Sequence, residues 1–311
     1  MKKILPFLFL PMFSLAQLTY VPDDVFEEFI ETTMPNASNG TVNDNYVITS
    51  ALNIFNLNLT PSNLSGPIFD LTGIEDFNLS ILSIDDLAIL SIDLSEVNFV
   101  TGQNLNIHNN QYLIDITLPS DTLVGISIFN NEILNTILFQ ENLFFSNLDI
   151  WFNQSLCELI VKGSITGGNV AIQYLENLTQ VDFSGVTDAP YQSQIAINGC
   201  DNLSQVNLNN NVSIYNWLPS FGTSTPLVDV NQPSYCETSN DWPDNVTYCS
   251  NCYTPIDCNV ATSTQEISKE EKSKSLINII DVLGRKATPS NQKPLFYIYD
   301  DGTVEKRIII E

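Results

Sequence analysis

Between residues 17 and 265 this 311-residue chain has a single basic side chain, Lys162, and no arginine, against 28 Asp and Glu residues. A surface so poor in cations cannot neutralise phosphates, which excludes nucleic acid as a partner. Anionic lipid would repel it. Histidine is almost absent: His108 stands alone. Metal sites that need two histidines are therefore excluded, and a Ser-His-Asp arrangement would have to be built on His108. No phosphate-cradling glycine loop occurs, and Gly167-Gly168 reads as a turn. No later run approaches the ~20 apolar residues of a membrane span. Carboxylate pairs are the one catalytic device that so acidic a chain always offers, and none stands out by spacing. The inventory points to a protein that is not an enzyme and carries no cofactor or metal.

What is present begins with an export signature. Lys2 and Lys3 precede the apolar run from Ile4 to Phe13, and Ser14-Leu15-Ala16 then supplies small residues. Residues 1–16 are expected to be a signal peptide cleaved near Ala16, which places the protein outside the cell or attached to the outer-membrane surface. Formal net charge is −25, but residues 266–311 hold eight acidic and eight basic residues. The chain thus divides into two segments of different character. With 43% hydrophobic residues, a packed core is within reach. The acidic excess suits solubility in salty surroundings, with cation binding as the alternative.

An internal repeat organises the middle of the chain. Six copies place apolar residues at relative positions 0, 2, 8, 11 and 13, starting at Leu79, Leu105, Ile126, Leu148, Val170 and Ile195. Position 2 is always Ile (81, 107, 128, 150, 172, 197) and position 8 always Leu (87, 113, 134, 156, 178, 203). Positions 0 and 2 share one face of a short strand because side chains alternate. No copy can bury that face alone, so the copies are expected to stack as parallel strands ~4.8 Å apart. Position 5 is Asn110, Asn131 and Asn153 in three consecutive copies and Cys200 in the last, with Ile84 and Leu175 replacing it elsewhere. Buried there, an asparagine can bond the backbone of the turn between neighbouring coils.

LNIHNNQYLIDITLP (105–119) and LDIWFNQSLCELIV (148–161) carry a resemblance to the bacterial leucine-rich-repeat family. The resemblance implies a curved solenoid used for binding. The expected fold is mainly β: a leucine-rich-repeat-like solenoid of short parallel strands, with an N-terminal capping helix and a small C-terminal β hairpin unit. A parallel β-helix is the competing architecture. The divisions expected are a signal peptide (1–16), an N-terminal cap (17–78), six repeats (79–215), a Cys-containing C-terminal cap (216–258), a linker (259–275) and a C-terminal segment (276–311).

In the N-terminal cap, Val25, Phe26, Phe29 and Ile30 fall on one helical face, and Asp23 or Asp24 can cap that helix. Covering the open end of a solenoid is its expected role. YVPDDVFEEFIET (20–32) and LTGIEDF (71–77) resemble the leading segment of exported leucine-rich-repeat proteins carried by the type IX secretion system. Cys236, Cys249, Cys252 and Cys258 follow the repeats with a spacing that also suits zinc. In an exported protein, two disulfides are the expected outcome, with open connectivity. Cys157 and Cys200 are expected to be unpaired core thiols.

The tail alternates through PLFYIYDDGTVEKRIIIE (294–311) and breaks at Asp301-Gly302, a hairpin signal. Leu283-Gly284-Arg285, that turn, and Lys306-Arg307 with the isoleucines after them resemble the C-terminal sorting domain of type IX cargo. The resemblance implies that this segment engages secretion machinery, with passage across the outer membrane and then cleavage of the tail.

If positions 0 and 2 point inward, position 3 points outward and reads Leu82, His108, Phe129, Trp151, Gln173 and Asn198. Position 4 adds Phe152 and Tyr174. His108, Phe129, Trp151, Phe152 and Tyr174 then form an aromatic strip suited to a surface protein or a glycan. The alternative is that Phe152 and Tyr174 turn inward and Trp151 packs on a loop. A different class altogether, a β-helix enzyme acting on extracellular polysaccharide, would show acidic residues clustered in a cleft. A structural surface-layer component would have no ligand.

Overall fold

The computed structural model describes residues 17–34, 36–53, 56–189, 193–212, 217–231, 242–243 and 246–256, and the strands Leu276–Asp281, Leu295–Tyr299 and Val304–Arg307. The expected signal peptide (1–16), Cys236, Cys258, the expected linker, Leu283-Gly284-Arg285 and Asp301-Gly302 lie outside these residues. The chain divides after Ile256 into two units.

The first unit is a parallel β-solenoid of eight coils among the described residues, with one α-helix near its N-terminus. Alternation puts two apolar side chains per coil into the core. The inward pairs are Leu57/Leu59, Leu82/Ile84, Leu105/Ile107, Ile126/Ile128, Leu148/Ile150, Val170/Ile172, Ile195/Ile197 and Pro219/Phe221, all buried. Each coil pairs with the next in register, Leu105 on Ile126 and Ile126 on Leu148 for example. Parallel pairing therefore runs one coil beyond the six repeats on each side, Leu57 pairing with Leu82 and Ile195 with Pro219. A second inward row comes from Ile92, Ile116 and Ile137, then Leu159, Val181, Val206 and Val228. Each such side chain contributes about 1.5–3 kcal/mol by leaving water.

The first repeat sits three residues later than its spacing suggests. Leu82 and Ile84, not Leu79 and Ile81, pair with Leu105 and Ile107. The run NLSILSID satisfies the aliphatic template twice, and hydrogen-bond register selects the second. The turn that follows is one residue shorter than in the later five repeats, so Ile92 takes the inward place and Leu90 is 60% exposed. Position 3 of this coil is Asp85, opposite His108, while Leu82 is buried. Position 5 is Leu87 rather than Ile84.

The asparagines at position 5 form a buried column. Leu87 donates its backbone N–H to Asn110 Oδ1 (2.9 Å), Asn110 to Asn131 Oδ1 (3.0 Å) and Asn131 to Asn153 Oδ1 (3.0 Å). Asn110 and Asn131 donate their amides to the carbonyls of His108 and Phe129 in their own coils. They also reach back to Ile84 and Ile107 of the preceding coils, as Asn153 does to Ile128. No water is needed to satisfy these turns. Beyond the column, Leu175 and Cys200 hold the same place.

Both ends of the solenoid are fastened by a carboxylate that accepts several donors. Helix α1 (Asp24–Thr33) buries Phe26, Phe29 and Ile30. Its N-cap is Asp23, which accepts from the backbone of Val25 and Phe26 and, through its other oxygen, of Phe69 and Asp70. Glu27 is buried as well, its carboxylate accepting from the backbone of Asp44 and Asn45. Desolvation holds its pKa above the ordinary value. At the far end the buried carboxylate of Asp229 takes the side-chain amide of Asn209 and the backbone N–H groups of Asn251, Cys252 and Tyr253.

Cys249 and Cys252 are joined by a disulfide, so the four-cysteine zinc alternative loses two ligands. Cys200 is a free, buried thiol, as its place in the repeat implies. The expectation of an unpaired core thiol at Cys157 is corrected. Its side chain is half-buried at an outward position and is disulfide-bonded, to a partner outside the described residues.

The second unit is a three-stranded antiparallel sheet. Leu295–Tyr299 pairs with Leu276–Asp281 on one side and with Val304–Arg307 on the other. The two strands that flank Asp301-Gly302 in the sequence are thus antiparallel partners, and Lys306 and Arg307 lie in the second of them. Among the described residues no helix is long and apolar enough to cross a membrane.

Replacing Asn131 by Leu removes the acceptor for Asn110 and the amide that donates to the carbonyls of Ile107 and Phe129. Asn131→Leu should cost about 3 kcal/mol or more in denaturant unfolding. A loss below about 1 kcal/mol would mean that the inter-coil backbone bonds hold the turns alone.

Candidate functional site

The residues expected to form an outward strip do come together. In-register pairing places His108 beside Phe129, and Phe129 beside Trp151. Ring centroids are 4.6 Å apart for His108–Phe129, 5.2 Å for Phe129–Trp151, 5.9 Å for Trp151–Phe152 and 4.9 Å for Phe152–Tyr174. The first and last of these pairs are nearly parallel, with interplanar angles of 9° and 8°. Trp151 is 37% exposed, Phe152 41% and Tyr174 47%, so none of them turns into the core. His108 and Phe129 are half-buried by their neighbours. Asp85 anchors the N-terminal end, its carboxylate lying 2.9 Å from His108 Nδ1 and accepting from the Asn109 amide. The rings fall on one line because every coil enters its turn at the same residue.

That turn has a conformational demand that spacing alone does not reveal. Position 4 is left-handed in six successive coils: Asp86 (φ 54°), Asn109 (60°), Asn130 (56°), Phe152 (53°), Tyr174 (54°) and Gly199 (67°). Asn, Asp and Gly tolerate this region, whereas a bulky side chain there is an outlier. Phe152 and Tyr174 are thus the two strained members of the series, and both are exposed. Gly199 fits only because it lacks a side chain, since a β-carbon would stand 2.7 Å from the Tyr174 ring.

Sequence reasoning overlooked the polar companions of the strip. Asp149, Trp151, Ala171 and Gln173 line a pocket of about 270 Å³. Desolvation raises the pKa of the Asp149 carboxyl above its ordinary value. The signal lay at position 1, which reads Ser83, Asn106, Ser127, Asp149, Ala171 and Ala196 and so shrinks directly after Asp149. A second, larger pocket of about 400 Å³ lies elsewhere, lined by Asp70, Glu75, Asp93 and Glu96 among others. Three of these carboxylates are occupied by turns: Asp70 accepts from Thr72, Glu75 from Gly73 and Asp93 from Ser95. Among the described residues no group of three or more His, Cys, Asp or Glu side chains is placed to hold a metal ion.

Comparison with known protein families, with curated proteins and with solved structures finds no match to this chain.

Left-handed backbone at a bulky residue costs about 1–2 kcal/mol, and a stacked aromatic pair returns about 1 kcal/mol. The double variant Phe152→Asn/Tyr174→Asn should therefore melt at or above the temperature of the unchanged chain. A clear drop in thermal unfolding would identify the two rings as packing residues.

Proposed function

We propose that this chain is an exported, non-enzymatic recognition module, of leucine-rich-repeat type, that binds a protein or glycan at the cell surface through its aromatic strip. One observation carries the reading: Phe152 and Tyr174 occupy left-handed turn positions that neighbouring coils fill with Asp, Asn or Gly. Strain kept at an exposed side chain, where a cheaper residue would fold better, points to use of that side chain. The continuous run of rings supports it, because exposed aromatics are a liability unless they meet a ligand. Rigid rings are good anchors for a partner.

In this reading residues 1–16 direct export and the C-terminal segment engages the secretion machinery, its three strands bearing Lys306 and Arg307 at the end. The solenoid then works outside the cell or attached to the outer-membrane surface. A second reading, an enzyme acting on extracellular polysaccharide, has the acidic 400 Å³ pocket in its favour. Release of reducing ends from polysaccharide, abolished by Glu96→Gln, would establish it over the first.

The full chain and a Phe129→Ala/Trp151→Ala variant should be compared on an array of glycans and surface proteins. Saturable binding that the variant loses, with its melting temperature within about 3 °C of the unchanged chain, is the expected result. Equal binding by both proteins would remove the strip from the recognition surface.

A further inference from the structure

The strip has one place where a ring borders open space. Strand pairing sets Gln173 beside Trp151 and Ala171 beside Asp149. The methyl of Ala171 is too short to fill the space above it, and the 270 Å³ pocket results. Its lining is a flat indole, one carboxylate and one neutral amide. No hydrogen bond or ion pair engages the Asp149 carboxylate among the described residues; the side chain is exposed at the mouth of the pocket, and partial desolvation raises its pKa. The chain offers it almost nothing to pair with, since Lys162 and His108 are the only side chains between residues 17 and 265 able to carry positive charge. His108 is already held by Asp85.

We infer that the pocket between Trp151 and Asp149 receives a lysine or arginine side chain of a basic protein partner. The inference rests on the recognition role of the strip and names the partner's chemistry. An indole face attracts a cation electrostatically, and more strongly as the site loses water. The carboxylate accepts charge-assisted hydrogen bonds from the same group, and an arginine can present two N–H donors to it. The pocket is smaller than the ~300–1,000 Å³ of drug-sized sites, which suits one side chain. The remaining rings supply apolar contact around that anchor, as aromatic and arginine anchors do in protein interfaces. The 28 acidic residues of the stretch from 17 to 265 attract a basic partner to this part of the chain and repel an acidic one. A neutral sugar gains nothing from this charge, so the glycan alternative explains less of what the pocket contains.

The test titrates the full chain with hexaarginine, with hexacitrulline as an uncharged match and with cellohexaose as a neutral glycan. Indole fluorescence and calorimetry are the readouts. Two variants separate the pocket from diffuse attraction. Asp149→Asn removes one of 36 acidic residues, and Ala171→Phe plugs the pocket without changing charge. Thermal unfolding confirms that each is folded, and Ser83→Phe, at the same position of a distant coil, controls for the added ring. Hexaarginine is expected to saturate and to perturb the indole, and hexacitrulline to bind far more weakly. Both pocket variants should lose affinity by about fivefold, since a cation–π contact and a charge-assisted contact at a partly desolvated site are each of that order.

Unchanged affinity in both variants would reduce the effect to general attraction of a polycation and overturn the inference. Cellohexaose binding that Ala171→Phe abolishes would also overturn it, while leaving the recognition role of the strip intact. Absence of any Phe129- and Trp151-dependent ligand on the array would instead remove that role itself.

Discussion

The column of buried asparagines is the constraint on which the solenoid depends. Stacked coils leave the backbone of each turn with donors and acceptors that point along the axis, where water does not reach. Asn110, Asn131 and Asn153 each accept a backbone N–H from the coil before and donate to a carbonyl of that coil, and Asn110 and Asn131 also donate to a carbonyl of their own coil. The four coils from Leu87 to Asn153 are thereby tied each to the next. The aliphatic pairs on the flanking strands supply most of the energy, but apolar contact has no direction. Backbone pairing sets the register from coil to coil, and the asparagines lock it in the coils from Leu87 to Asn153, which carry most of the aromatic strip.

Alignment has a consequence for position 4. The chain must enter each asparagine turn through a left-handed residue, and this residue is always next to the outward side chain at position 3. Where the coil carries Asp, Asn or Gly the turn is relaxed. In the coils of Phe152 and Tyr174 the requirement is met by aromatic residues at a conformational cost. The same geometry that strains these two rings also brings them into line with His108, Phe129 and Trp151. The centre of the strip, the pocket beside Trp151 and the most strained backbone therefore occupy adjacent coils.

Charge plays little part in holding the solenoid together. Between residues 17 and 265 an ion-paired scaffold is impossible with one basic residue. Carboxylates are used instead as acceptors for backbone N–H groups, Asp23 at one end and Asp229 at the other. The helix cap at Asp23 was legible beforehand, but its further bonds to Phe69 and Asp70 and the role of Asp229 were not, because they join segments far apart in the chain. The disulfide at Cys157 was missed for a similar reason. Its spacing placed it beside buried neighbours, but only the coil geometry puts position 9 on the outside.

Periodicity by itself determined that the chain is a parallel β-solenoid, which residues of the later five repeats face its core, and that His108, Phe129, Trp151, Phe152 and Tyr174 lie on four consecutive coils. These are local facts, since alternation and repeat length act within a few residues. Tertiary structure decided the register of the first coil, where NLSILSID fits the template twice and pairing with Leu105 and Ile107 breaks the tie. It also decided the left-handed turn at position 4, the outward aim of the rings, and the pocket that Asp149, Trp151, Ala171 and Gln173 share. Those features arise between coils roughly 22 residues apart. They depend on which side chains the backbone ladder sets side by side, and that is a property of hydrogen-bonded neighbours rather than of any one segment.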